Sequence, residues 1–263
     1  MGLPDDFGGI ICPIVTPFDE EGCIDDGALI ALVEFLLASG IQGLMIGGST
    51  GEGLLLSIEE RKHLTEQVLL VAAGKCQVMA HVGCIDTAGT IELARHAQSL
   101  GVNAVSAIVP FFFTYDESSL TAHFRAAMSS VPELPFFIYS YPGNAKNDVS
   151  PEVVRRLRAT MPNFVGMKVS SSDLNRVQEF IAAGGEGFTV LTGSDGLVLP
   201  GLSIGACGSV SGNANVFPRL FCELYQAFRS GDWATALAHQ RRINQVRRVL
   251  FDGLHPAYPK AAL

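Results

Sequence analysis

One unit comes round repeatedly along this chain: an amphipathic helix, a glycine or short turn, then a short apolar strand. Residues 26–39 read as a helix that stops at Gly40 and leads into Gly43-Leu44-Met45-Ile46-Gly47. Residues 87–100 stop at Gly101 and lead into Ala104-Val105-Ser106-Ala107-Ile108-Val109. Glycine ends a helix because it takes left-handed backbone without a Cβ clash. Helix starts are equally legible: Ser57 with Glu60 forms a capping box, and Ser150-Pro151 sets a cap before a proline at the first helical position. Strands fall near residues 9–15, 43–47, 77–82, 104–109, 135–140, 164–169, 188–192 and 207–211. Strands that alternate with helices pair in parallel, and eight of them close into a (β/α)8 TIM barrel, with an open doubly wound sheet as the alternative. A chain of 263 residues suits one such barrel. We expect residues 1–230 to form it, residues 217–230 being its last helix, and residues 231–263 to add a short C-terminal helical extension, with a helix over 232–252.

Composition narrows the class of partner. Acidic residues outnumber basic ones by 26 to 18, for a formal net charge of −8, and no run of basic residues interrupts that balance. Such a surface repels nucleic acid and anionic membranes, which leaves small molecules as the expected partners. No apolar run approaches the ~18 residues of a spanning helix, and the N-terminus lacks a basic leader region. A cytoplasmic protein is expected. The six cysteines, Cys12, Cys23, Cys76, Cys84, Cys207 and Cys222, are scattered without a C-x-x-C pair, as reduced thiols would be. His81 and Cys84 lie three apart, but zinc asks for three or four protein ligands, so no metal is expected there.

Lys168 stands apart from the other four lysines. Lys62 lies in a charged helical stretch, Lys75 follows a glycine, Lys146 is in a polar loop and Lys260 is near the C-terminus. Lys168 interrupts Phe164-Val165-Gly166-Met167-Lys168-Val169, which otherwise reads as a buried strand. An amine with a pKa near ~10.4 is a poor nucleophile at neutral pH, and burial in an apolar wall lowers it. A desolvated strand lysine is therefore a candidate Schiff-base former; the alternative is a strand-end lysine paired to a carboxylate.

Barrel chemistry sits at the C-terminal ends of the strands, so those positions are read together. After the second strand comes Gly47-Gly48-Ser49-Thr50-Gly51-Glu52, whose backbone N–H groups and hydroxyls could hold a carboxylate, although such turns also occur as plain connections. The fifth strand ends at Tyr139, before Ser140-Tyr141-Pro142-Gly143, and its neighbour ends at Lys168. A phenol beside an amine, facing an anion nest, suits proton transfer; a core tyrosine with a satisfied hydroxyl is the other reading.

With these segments, and with Ala80-His81-Val82-Gly83-Cys84, the strand ending at Pro110, Gly193-Ser194-Asp195 and Gly208-Ser209-Val210-Ser211, the chain resembles the pyruvate-dependent class I aldolase family. That family contains N-acetylneuraminate lyase and dihydrodipicolinate synthase, and the resemblance runs over essentially the whole length. It implies that Lys168 forms a Schiff base with a 2-keto acid, without metal or other cofactor, and that Tyr139 is the general acid/base. It also implies that Gly48, Ser49 and Thr50 hold the pyruvate carboxylate, that Val210 lines the pyruvate pocket, and that Ser170, Asp195 and Ser211 meet the rest of the substrate. A homotetramer is implied as well. The second to fourth strands look closest to the neuraminate lyase branch, so the expected reaction is cleavage or formation of a 2-keto-3-deoxy sugar acid or related 2-keto acid. Dihydrodipicolinate synthase is the alternative, and a non-catalytic keto-acid-binding barrel is the alternative of another class.

Several positions depart from the family pattern. Asn144 stands where the synthase branch has an arginine, Phe111-Phe112-Phe113 where a tyrosine is usual, and Gly196 where the lyase branch presents a glutamate. The first weakens the synthase reading, the second removes one hydroxyl from a shared relay, and the third puts a polyhydroxyl substrate tail in doubt. The chain also ends at Pro259-Lys260-Ala261-Ala262-Leu263, where relatives are expected to continue into further helices.

Overall fold

A computed structural model of the chain describes residues 7–250 and 255–263. Its framework is eight parallel strands: β1 (Gly9–Pro13), β2 (Gly43–Ile46), β3 (Gln77–His81), β4 (Ala104–Ile108), β5 (Phe136–Ser140), β6 (Phe164–Val169), β7 (Thr189–Thr192) and β8 (Gly208–Val210). Each pairs with its neighbours in chain order, and β8 returns to β1 in the register Gly9↔Gly208 and Ile11↔Val210. The sheet is a closed (β/α)8 barrel, with no free edge.

Helices α1 (Asp26–Ala38), α2 (Ile58–Ala72), α3 (Thr87–Leu100) and α4 (Glu117–Ser129) follow the first four strands. A four-residue turn of helix, α5 (Pro142–Ala145), precedes α6 (Pro151–Thr160), and α7 (Leu174–Gly184) follows β6. Their caps are those the sequence announces: Ser57 accepts from the Glu60 amide while Glu60 returns a carboxylate to the Ser57 N–H, and Ser150 caps α6 ahead of Pro151. Gly101 closes α3 in the left-handed conformation, at φ 75°.

The last units differ. Between β7 and β8 there is only a 3-10 turn, Asp195–Leu197, and a six-residue helix, α8 (Val198–Ser203). Beyond β8 come α9 (Pro218–Arg229), α10 (Trp233–Val249) and α11 (Ala257–Ala262). A short α8 leaves room for α10 to pack on the β7–β8 connection through a stripe of Ala236, Gln240 and Ile243. Gln240 fastens the contact, accepting from the Leu199 amide at 2.8 Å and donating to the Asp195 carbonyl at 3.0 Å. At the chain's end Lys260 ion-pairs with Glu52, tying α11 to the turn after β2. No helix among the described residues is long and apolar enough to cross a membrane.

Two apolar clusters follow from strand alternation. Residues facing outward pack under the helices. Those facing inward form a smaller plug that includes Ile11, Met45, Met79, Phe137, Leu191 and Val210. Gly166 and Lys168 sit two apart on β6, and Gly166 makes room for the Phe137 ring: a Cβ there would stand 2.3 Å from that ring and 2.4 Å from the Thr189 carbonyl oxygen. A ring in a filled plug and a strand carbonyl cannot both yield. Gly166→Ala is expected to cost about 1–3 kcal/mol, or several degrees of Tm. A melting curve matching the parent's would show that the plug has slack.

Candidate active site

The C-terminal mouth of the barrel holds a cavity of about 410 Å³. Seven of the residues singled out from sequence line it: Lys168, Tyr139, Ser49, Thr50, Val210, Ser170 and Asp195. Gly48 and Ser211 stand behind the wall. Gly48 backs onto the Met45 thioether, and the buried Ser211 side chain is directed at Asp195.

Lys168 and Tyr139 are brought together by register. They are partners across β5 and β6, so both side chains project to the same face. The Lys168 Nζ lies 4.0 Å from the centroid of the Tyr139 ring and 3.9 Å from the Met45 Sδ. Among the described residues no carboxylate pairs with it, so the ion-paired alternative is not what the fold builds. Burial lowers its pKa to about 7, and the charge of Asp195 opposes that shift. Between about pH 7 and 10.5 the folded protein therefore holds fewer protons at this site than the unfolded chain. Its cost to folding is full below that window and falls as pH rises through it.

Tyr139 is 2 % exposed, and burial raises its phenol above the ordinary value. Two hydroxyls act against that shift: Ser170 Oγ, which donates to the phenol oxygen at 3.3 Å, and that of Ser49. The ring is clasped edge-on by His81, with centroids 6.0 Å apart. His81 itself is anchored by Ser106 at 3.0 Å, and burial, followed by the charges of Arg61 and Lys168, keeps it neutral. Neither His81 nor Cys84 has a ligand cluster around it; among the described residues no group of three or more metal-binding side chains is present. Cys84 receives Arg61 Nη1 at 3.3 Å instead.

The turn after β2 takes its shape from a close approach of backbone. Gly53 N–H donates to the Gly48 carbonyl at 3.1 Å, and a Cβ on Gly53 would stand 1.8 Å from the Gly47 carbonyl oxygen. Only glycine allows that fold-back, which turns Ser49 and Thr50 toward the cavity.

Sequence reasoning missed part of the wall. Tyr141 stacks on Tyr139 at 6.0 Å and 22° and supplies a second phenol, whereas Phe112 and Phe113 point outward at 65 % and 57 % exposure. Arg247, from α10, also lines the cavity. It continues the stripe of Ala236, Gln240 and Ile243, and that spacing was its only signal in the sequence. Asp195 is held by Asn213, whose Nδ2 donates at 2.7 Å. Burial raises its pKa to about 6, against the nearby Ser211 hydroxyl, the hydrogen bonds of Asn213 and the charge of Arg247.

A model of the dihydrodipicolinate synthetase family matches residues 6–263. The chain belongs to that family. It is a class I, pyruvate-dependent aldolase. A 4-hydroxy-tetrahydrodipicolinate synthase of Phenylobacterium zucineum is 37 % identical over 257 residues, covering 98 % of this chain and 86 % of the relative. Among solved structures, the E. coli K12 prophage protein YagE in complex with pyruvate superposes with a TM-score of 0.93 at 29 % identity, covering 97 % of this chain and 87 % of that one. The sialic acid aldolase of Ruminococcus gnavus superposes with a TM-score of 0.90 at 31 % identity, covering 93 % and 81 %. The same barrel thus occurs in a pyruvate-bound member of that family and in a sialic acid aldolase.

Proposed function

We propose that this family member joins pyruvate to an aldehyde bearing a carboxylate, the reaction type of 4-hydroxy-tetrahydrodipicolinate synthase. The observation that carries the chemistry is the Lys168 amine, buried against the Tyr139 ring and, among the described residues, without a carboxylate partner. The neutral amine attacks the C2 carbonyl of pyruvate, loses water, and becomes a protonated imine. The imine draws electrons from C3, a C3 proton leaves, and the resulting enamine carbon attacks the aldehyde. Ser49 and Thr50 hold the pyruvate carboxylate, and Tyr139 gives its proton to the new alkoxide and recovers one through Ser170 or Tyr141. Water then cleaves the imine and returns the amine.

The carboxylated partner is supported by the names of the curated relatives, which favour the synthase over the sugar-acid lyase expected from the second to fourth strands. Gly196, in place of an acidic side chain, also leaves a polyhydroxyl tail without that acceptor. The exposed Phe112 and Phe113 would be covered in a homotetramer of the family type. The test is pyruvate consumption with a panel of aldehydes. Aspartate semialdehyde is expected to react at least about tenfold faster than neutral sugar aldehydes. The opposite order would restore the sugar-acid reading, and no consumption with any aldehyde would favour a keto-acid-binding barrel.

A further inference from the structure

We infer that Met45 is a positioning residue for the reacting amine: its thioether takes one N–H of Lys168 and so turns the nitrogen lone pair toward the cavity. This deepens the imine reading above and rests on it. A neutral primary amine has two N–H bonds and one lone pair, and only the lone pair attacks a carbonyl. Burial makes the amine neutral without aiming it. In this fold Nζ meets two soft acceptors at once, the Met45 Sδ at 3.9 Å and the face of the Tyr139 ring, whose centroid is 4.0 Å away. A thioether and an aromatic face are both weak acceptors, so each can engage one N–H. With both N–H bonds directed at protein, the third position on nitrogen is left for the cavity that Lys168 lines.

Packing holds the sulfur in place. Met45 stands on β2, on the opposite side of the barrel from β6, and a long unbranched side chain spans that interior. It is fully buried in the inward plug with Ile11, Met79, Leu191 and Val210. Gly48, in the turn after β2, closes on its methyl end: a Cβ there would stand 3.4 Å from the Met45 Cε. The softness of the acceptor matters as much as its place. The titratable groups around the amine are Tyr139 on β5, His81 on β3 and Asp195 after β7, and Arg247 of α10 lines the same cavity. Of these, Asp195 favours the ammonium. An amide or carboxylate oxygen in place of the sulfur would add a strong acceptor and stabilise the ammonium further. A thioether orients the amine while favouring its charge little, and a purely apolar side chain would keep the amine neutral but lose the aim.

The test mixes protein with saturating pyruvate at a series of pH values and quenches it into borohydride at set times, so that the label on Lys168 counts imine formed. The parent is compared with Met45→Leu, Met45→Gln and Met79→Leu. Met45→Leu nearly conserves volume and burial, so it should melt within a few degrees of the parent. Its labelling midpoint should stay at the parent's pH while the limiting rate above the midpoint falls about 3- to 10-fold, the worth of one weak hydrogen bond. Met45→Gln should raise the midpoint by about one pH unit, a tenfold smaller neutral fraction near pH 7. Met79→Leu makes the same chemical change at the register partner of Met45 on β3 and should match the parent in both quantities. A Met45→Leu protein with the parent's limiting rate, an unmoved midpoint in Met45→Gln, or an equal loss in Met79→Leu, which would assign the effect to packing, overturns the inference. Met45→Leu and Met79→Leu decide the matter if Met45→Gln does not fold. No adduct on the parent refutes the imine reading beneath, whereas an adduct formed alike in parent and variants refutes Met45 alone.

Discussion

Incubated with pyruvate and sodium borohydride, the protein is expected to become irreversibly modified on Lys168, with the rate of labelling climbing as pH rises through about 7. The sign follows from the burial. Desolvation penalises the ammonium, so the amine is half neutral near pH 7, whereas an exposed lysine remains protonated. Borohydride reduces only the imine, so the label reports where condensation occurs. Other lysines are poor competitors for clear reasons: Lys62 is held by Glu59 and Glu92 at 2.7 Å each, which keeps it charged, and Lys260 is paired with Glu52. Lys168→Ala should remove both label and turnover. Lys168→Arg should do the same, because a guanidinium does not deprotonate to a nucleophile. Peptide mapping that placed the adduct on any other lysine, or a Lys168→Ala protein that still consumed pyruvate and aldehyde, would refute the assignment.

Tyr139→Phe is expected to lower kcat by about 10²- to 10⁴-fold while pyruvate is still trapped on Lys168. The substitution keeps the ring over the amine and removes only the hydroxyl that Ser170 reaches at 3.3 Å. Imine formation and carbon–carbon bond chemistry are thereby separated in one variant. Tyr141, stacked 6.0 Å away and itself lining the cavity, is the available substitute, so the double variant with Tyr141→Phe should lie below the single one. Turnover equal to the parent's in Tyr139→Phe would make the tyrosine a packing residue.

Much of this molecule was legible before any coordinates. The helix over residues 87–100 was bounded by Gly101, and α2 by the Ser57–Glu60 box, because caps and stop signals act within one turn of the backbone. The strands were visible as short apolar runs, since in a barrel both faces of each strand are covered. Lys168 stood out for the same reason: a charge in such a run has no water to face. The juxtaposition of Tyr139 and Lys168 could be anticipated from neighbouring strand ends, and the β5–β6 register makes it a direct pairing.

Other features were invisible at that level. Gly196 read only as the loss of an acidic side chain, and Asn144 only as the loss of a basic one. That Gly196 lies against the Arg247 guanidinium depends on where α10 lands, and that depends on the short α8 and on Gln240 reaching across to Leu199 and Asp195. Phe112 and Phe113 were adjacent to the expected relay in sequence yet face solvent, while Tyr141 turned inward onto Tyr139. The alternation of helices and strands, their caps, and the apolar setting of Lys168 were determined by the sequence itself, because each arises from residues within a turn or a strand of one another. The charge and shape of the cavity were decided by tertiary packing alone, because they depend on which face of a distant helix meets which loop, and no local pattern carries that distance.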